Sequence, residues 1–196
     1  NEAVLHSFFE IELRLLSCSN LAELLDLILI DFKQHFQLAA VNLILFDPEN
    51  AARCLLEDYT PPEPGHSLRF VTNQRLLKSL FPSAKLRIGE LSPQLKSIAF
   101  PSNPYVSSSA LLPLIRHNCL IGSLHLGSND SARYSEHFDY DYIGHLASVI
   151  SVCFENCINQ QNLKRLSIID MLTKVNNRRS FDQEIIRELS RASRNK

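Results

Sequence analysis

Val4, Phe8, Ile11 and Leu15 recur at spacings of four, three and four, which draws one apolar face along a helix at the start of the chain. Asn20-Leu-Ala-Glu23 then has the form of a capping box, a side chain that can cap a helix followed three residues later by Glu. Leu21, Leu24, Leu25, Ile28, Leu29 and Phe32 supply the stripe of a second helix ending near Gln37. Leu38 to Phe46 is dense in Val, Ile, Leu and Phe and is halted by Asp47-Pro-Glu-Asn50. With Ala51 to Glu57 beyond that turn, the pattern predicts a β-hairpin.

The middle of the chain is broken by proline. Tyr59 to Ser67 carries Pro61, Pro62, Pro64 and Gly65, so it predicts a loop that cannot extend a sheet ladder. A short helix is expected around Gln74 to Leu80 and a strand around Lys85 to Leu91, followed by a second proline-rich loop from Ser92 to Pro104. Two such loops beside a sheet predict a lid or lip.

Regular patterning returns at Ser109. Ala110 to Ile115 and Cys119 to Gly127 predict two strands joined by the tight turn Arg116-His-Asn118, with Leu120, Gly122, Leu124 and Leu126 expected on one face and Ile121, Ser123 and His125 on the other. Ser135 can cap a helix that runs without proline from Glu136 to about Ile169. Some 34 residues at about 1.5 Å each give roughly 50 Å, longer than a domain of this size is wide. Residues 1–155 are therefore expected to form the globular domain and residues 156–169 to project from it. Tyr142, Leu146, Val149, Cys153, Asn156, Gln160 and Leu163 follow a heptad-like course along the helix. That stripe predicts a parallel homodimer, with an intramolecular partner as the alternative.

Composition adds limits. The 196 residues are 45% hydrophobic with a net charge of −1, an ordinary globular balance without the basic excess typical of nucleic-acid binding. The charge is uneven, however: from Lys164 onward there are nine Lys/Arg against four Asp/Glu, whereas the preceding residues carry eleven against seventeen. This marks a domain boundary near residue 164, and the basic tail reads as a solvated helix face. Five cysteines, an odd number, do not make a disulfide framework and favour a reducing compartment. No apolar run approaches the roughly 20 residues that span a bilayer, so a cytoplasmic protein with no membrane partner is expected. The chain opens on Asn1 and its one methionine is Met171, so it is expected to be part of something longer.

Candidate chemistry is sparse. None of the seven histidines forms an H-x-x-x-H or H-E-x-x-H pattern, and no metal site is expected. Cys153 and Cys157 share a helix face, where a role as small buried hydrophobes outweighs metal ligation or an intersubunit disulfide. A small-molecule site is expected between the sheet and segments 59–70 and 92–106, with Arg69, Arg87 and Tyr105 as anchors for an anionic or aromatic ligand. A dimerisation module without ligand is the alternative.

Two stretches carry resemblances. Ala110-Leu-Leu-Pro-Leu114, Leu120-Ile-Gly-Ser-Leu-His-Leu126, Tyr134-Ser-Glu136, Leu146-Ala147 and Phe154-Glu-Asn156 resemble the closing hairpin and exit helix of GAF domains. The match is nearest to an uncharacterised branch, the domain-of-unknown-function family 484, found ahead of bacterial signalling enzymes. It implies an α+β fold with a GAF-like antiparallel sheet flanked by helices and a long C-terminal signalling helix. The second stretch is Asp170-x-Leu172-Thr173-x-x-x-Asn177-Arg178-Arg179-x-Phe181, which is similar to the segment that opens the GGDEF domain of diguanylate cyclases. Lys174 and Val175 stand where that family has Gly and Leu. The resemblance implies that residues 170–196 begin a catalytic domain joining two GTP into cyclic di-GMP with Mg²⁺. In that family GTP and metal are held by later motifs, so no catalytic residue is expected here. From the residues alone, Asp170 to Phe181 reads as a rigid joint between a helix and the next domain.

Overall fold

A computed structural model describes residues 2–61, 67–135 and 140–168 of the chain. The chain enters through α1 (Glu2–Ser17), then α2 (Leu21–Asp26), which runs through a π-helical turn (Leu27–Asp31) into α3 (Phe32–His35). Next come β1 (Ala40–Phe46), α4 (Ala51–Leu55), β2 (Leu68–Val71), α5 (Arg75–Leu80), β3 (Arg87–Gly89) and α6 (Pro93–Ala99). The long hairpin β4 (Ser108–Arg116) and β5 (Cys119–Ser128) leads to α7 (Tyr140–Ile168).

The five strands form one sheet in the order β2-β1-β5-β4-β3. This is the expected α+β architecture, antiparallel except at one edge, where β2 runs parallel to β1 with Leu43 opposite Leu68. A parallel neighbour cannot be reached by a hairpin and needs a crossover. The crossover begins with α4, so the predicted hairpin over residues 38–57 is corrected to strand, turn and helix. The cause is Asp47, whose buried carboxylate accepts the amides of Ala52 and Arg53, each at 3.1 Å. Asn50 turns into the left-handed region at φ 56° just ahead of them. The same Asp-Pro-Glu-Asn signal that can close a hairpin here starts a helix.

Strand alternation divides the core in two. Val41, Leu43 and Leu45 of β1 with Ala110, Leu112 and Leu114 of β4 face α1, α2, α3 and α7, where Ile11, Leu25, Phe32, Leu146 and Phe154 are buried. Ala40, Ile44 and Leu111 face the other way, toward Leu77, Leu80, Phe81, Ala99 and Phe100 on and beside α5 and α6. The expected single face for Leu120, Gly122, Leu124 and Leu126 is broken by a register shift opposite Leu114 and Ile115. This bulge turns Leu120 to the α5/α6 side and leaves Ile121 packing on the helix side. Gly122 lies where a Cβ would come within 2.5 Å of the Ile44 carbonyl oxygen, a close approach that only glycine permits.

α1 and α7 run parallel. Phe8 stacks on Tyr142 at 6.0 Å, Glu12 meets His145 at 3.2 Å, and the Cys157 thiol reaches the Cys18 carbonyl at 3.8 Å. Beyond α1 the exit helix stays attached: the Leu21 amide donates to Gln161 Oε1 at 2.8 Å, and Arg165 donates to the Cys54 carbonyl at 3.3 Å. The segment expected to project from residue 156 is therefore held to the domain as far as Arg165, because α2 and α4 offer it unpaired helix-end groups. The GGDEF-like stretch and the start of the helix at Glu136 lie outside the described residues.

Candidate functional site

The side of the sheet under α5 and α6 is where the sequence places a ligand. Ser92 caps α6, its Oγ accepting the Leu95 amide at 3.4 Å, and Pro93 opens the first turn. The helix ends at Ala99, whose carbonyl accepts two hydrogen bonds from the sheet: Asn42 Nδ2 at 2.8 Å and His125 Nδ1 at 3.1 Å. Asn42 and His125 are direct cross-strand partners of β1 and β5, so one pair of opposed residues grips one carbonyl. Because Nδ1 faces an acceptor it carries the ring proton, and Nε2 accepts from Ser123 Oγ at 2.9 Å. Burial holds this imidazole neutral by lowering its pKa to about 4. Phe100 packs edge-on against it at 6.0 Å. With Leu77, Leu80, Phe81 and Val106 also buried, the space beneath the lid is filled by the chain's own side chains.

The structure does not bring the three expected anchors together. β2 and β3 are opposite edges of the sheet, so Arg69 and Arg87 are separated by its full width. Arg69 is exposed, Arg87 donates to the Leu80 carbonyl at 3.0 Å, and Tyr105 is 84% exposed. The parallel crossover, invisible as a pattern, puts β2 outside β1 and so corrects this expectation. The signal for the Asn42–His125 grip was present as Asn42 in the apolar strand β1 and the Ser123/His125 pair in β5, since a buried polar group demands a partner.

The proposed dimer stripe is also divided by its position along α7. Leu146 and Cys153 are buried against the sheet and Val149 is half-buried, whereas Tyr142, Asn156, Gln160 and Leu163 are exposed. The buried face follows Ile143, Leu146, Ala147, Ile150, Phe154 and Cys157, so an intramolecular partner, the sheet, takes Leu146, Val149 and Cys153 out of the stripe. Burial pushes the thiols of Cys153 and Cys157 up to about 11, the behaviour of packing groups rather than of ligands or nucleophiles. No group of three His, Cys, Asp or Glu side chains among the described residues could hold a metal.

The helix side is less tightly filled. A cavity of about 260 Å³ lies between the β1–α4 joint and α7, with Ile121, Phe154 and Ile158 on its walls and Arg116, Glu155 and Asn159 at its rim. There Glu155 accepts from Arg116 Nε at 2.8 Å and Nη2 at 2.5 Å, and its other oxygen meets His117 Nε2 at 3.0 Å. The Arg116 hydrogen bonds, then His117, hold its carboxyl below the usual range. His117 and Asn118 both take the left-handed conformation of a two-residue hairpin turn, which aims His117 at the exit helix.

A mixed five-stranded sheet with a lid on one face and parallel entry and exit helices on the other is the GAF fold. The chain belongs to the family described as "Protein of unknown function, DUF484", whose model matches residues 1–159. Among solved structures it is similar to the GAF domain of a phosphoenolpyruvate-protein phosphotransferase from Acinetobacter, at TM-score 0.57 and 14% identity over 80% of this chain and 95% of that one. It is similar to free methionine-R-sulfoxide reductase from Neisseria meningitidis, at 0.58 and 22% over 81% and 93%. The chromophore-binding domain of Stigmatella aurantiaca bacteriophytochrome follows at 0.53 and 16% over 78% and 60%. At these identities the likeness is one of fold. No curated protein matches the chain. Among the described residues no helix is long and apolar enough to cross a membrane.

Proposed function

We propose that this chain is the regulatory and dimerisation region of a bacterial, cytoplasmic diguanylate cyclase, with the catalytic domain beginning at Asp170. The observation that carries the reading is the run Asp170, Leu172, Thr173, Asn177, Arg178, Arg179 and Phe181, which follows the described part of a long exit helix in the sequence. GTP and Mg²⁺ belong to the catalytic domain and have no role in residues 1–169. Cyclic di-GMP synthesis across two such domains depends on how two exit helices stand relative to one another, so a domain that sets this relation controls the rate.

The pairing surface includes α1. Phe9, Leu13 and Leu16 recur at four and three on its outer side and are 54, 69 and 63% exposed, and Leu163 adds an exposed apolar residue at 66% on α7. Because α1 and α7 are parallel neighbours, a two-fold partner packed on α1 would also bring the exit helices side by side. The second reading is a non-catalytic GAF-like ligand-binding or dimerisation module, and within it the filled lid side favours dimerisation over a ligand at that face.

The test is to extend the reading frame past Lys196 and assay the product with GTP and Mg²⁺ by chromatography. An intact GG[D/E]EF hairpin with cyclic di-GMP formation is expected, while residues 1–196 alone are expected to be inactive. Synthesis by residues 1–196, or an extension without the hairpin, sinks the proposal.

A further inference from the structure

A second cavity on the helix side, about 350 Å³, falls within the size range of small-ligand sites, roughly 300–1,000 Å³. It opens between α1, α3, β5 and α7, and its walls are apolar: Phe8, Phe36 and Tyr134 with Leu126, Ile143 and Leu146. Phe8 and Phe36 lie 5.2 Å apart and tilted, and burial pushes the Tyr134 phenol up to about 12, so it stays protonated.

The polar groups at the mouth decide the ligand's charge. Arg133 is the cation, but it is already engaged. Its guanidinium donates to the carbonyls of Phe36 and Gln37 and stacks over Tyr134 at 5.7 Å. Those carbonyls lie just past the end of α3, at its C-cap Phe36 and at Gln37, where the chain turns left-handed at φ 49° and the Leu38 amide bonds back to the Lys33 carbonyl at 2.9 Å. Arg133 is therefore a helix cap and a poor anchor for an anion. No described carboxylate lines the cavity, so nothing there favours a cation either.

The other polar groups lining the cavity, the Tyr134 phenol, Gln37 and the Ser7–His35 pair, carry no fixed charge, and in that pair Oγ lies 2.6 Å from Nε2 and Nε2 3.2 Å from the Ser7 carbonyl. Because Nε2 also faces the Ser7 carbonyl, which can only accept, it carries the ring proton and donates to Ser7, whose hydroxyl hydrogen is left as a donor at the mouth.

We propose that this cavity binds a small neutral aromatic or short-chain apolar molecule bearing one hydrogen-bonding group, held between α1 and α7. A guest there touches both parallel helices at once and so sets their separation. The site stands apart from the lid side and stands whether or not a catalytic domain follows.

The experiment is a methyl-resolved NMR titration of the 196-residue chain with indole, and separately with indole-3-carboxylate. Indole is expected to shift the methyls of Leu126, Ile143 and Leu146 and to bind at least tenfold more tightly than its carboxylate. Ser7→Phe, at a half-buried mouth position, places a ring in the cavity and is expected to weaken indole at least tenfold with the melting temperature kept. Ser7→Leu carries the same test if the larger ring disturbs α1. Absence of shifts at these methyls up to the solubility of indole overturns the site, as does equal affinity in the filled variants. Binding of the carboxylate as tight as that of indole overturns the neutral ligand class.

Discussion

The two faces of the sheet are built from the same strands but to different standards of closure. Under α5 and α6, apolar side chains fill the space, and a polar grip of Asn42, His125 and Ser123 fixes the end of the lid. Under α1 and α7 the core is larger, yet two cavities of about 350 and 260 Å³ lie against α7, the first of them also against α1. A buried network satisfied at every atom holds one arrangement, whereas a cavity between two helices lets their spacing change at small cost. The rigid side is where a sheet-lid module has its obvious pocket, and the compliant side is where output would leave.

Five substitutions test this contrast. The largest effects come from truncating its two anchors, Phe100→Ala on the lid side and Phe154→Ala on the helix side. Each is expected to cost about 3–5 kcal/mol in urea unfolding. Hydrogen exchange should separate them: Phe100→Ala should free amides of α5 and α6 while α7 stays protected. Loss of protection in α7 from Phe100→Ala would show that the two faces open as one unit.

The His125 grip gives the next effect, through pH. An unfolded imidazole gains its proton near 6.5 and the folded one only near 4, so between these values the unfolded state binds more protons. Stability should fall as pH drops through that window, by up to about 3 kcal/mol. His125→Gln should be less stable at pH 7 and show a flatter profile, both readable from thermal melts at half-unit steps.

A smaller change in stability, but a change in assembly, is expected from Leu13→Glu. Its side chain is exposed, so the melting temperature extrapolated to low concentration should move little. If the proposed dimer packs on α1, light scattering should show it in the wild type and find it reduced in the variant, and an equal mass for the two would remove α1 from the proposed interface. The smallest effect belongs to Glu155→Gln. The lowered carboxyl stabilises the fold above the ordinary carboxylate range and loses that contribution as pH falls through its own value. Being at the surface, the pair should contribute little, and the wild-type and variant melting curves should converge in acid.

What was legible in the sequence was local. The stripe of α1, the cap at Asn20, where Oδ1 accepts the Glu23 amide at 2.9 Å, and the β4–β5 hairpin follow from short-range periodicity and turn chemistry. In the capping box the return bond to Glu23 Oε2 is donated by the Ser19 amide at 2.8 Å, one residue early. β2 was missed because four residues at a sheet edge, none of them fully buried, carry no apolar alternation, and their pairing is set by a crossover from β1. That one omission misplaced Arg69 and with it the expected pocket. The grip on Ala99 was hidden because it joins residues 57 positions apart, although each polar residue was visible in its strand.

The parallel course of α1 and α7 has a directional consequence. α1 begins beside the start of α7 and ends near Cys157, well along it. A polypeptide joined before residue 2 would therefore leave from the end of the domain opposite to the exit of α7. Upstream and downstream modules would be threaded in series along one axis, with this domain as a bead between them. Strain or rotation applied at one pole would have to pass through the helix layer, and not around it, to reach the other.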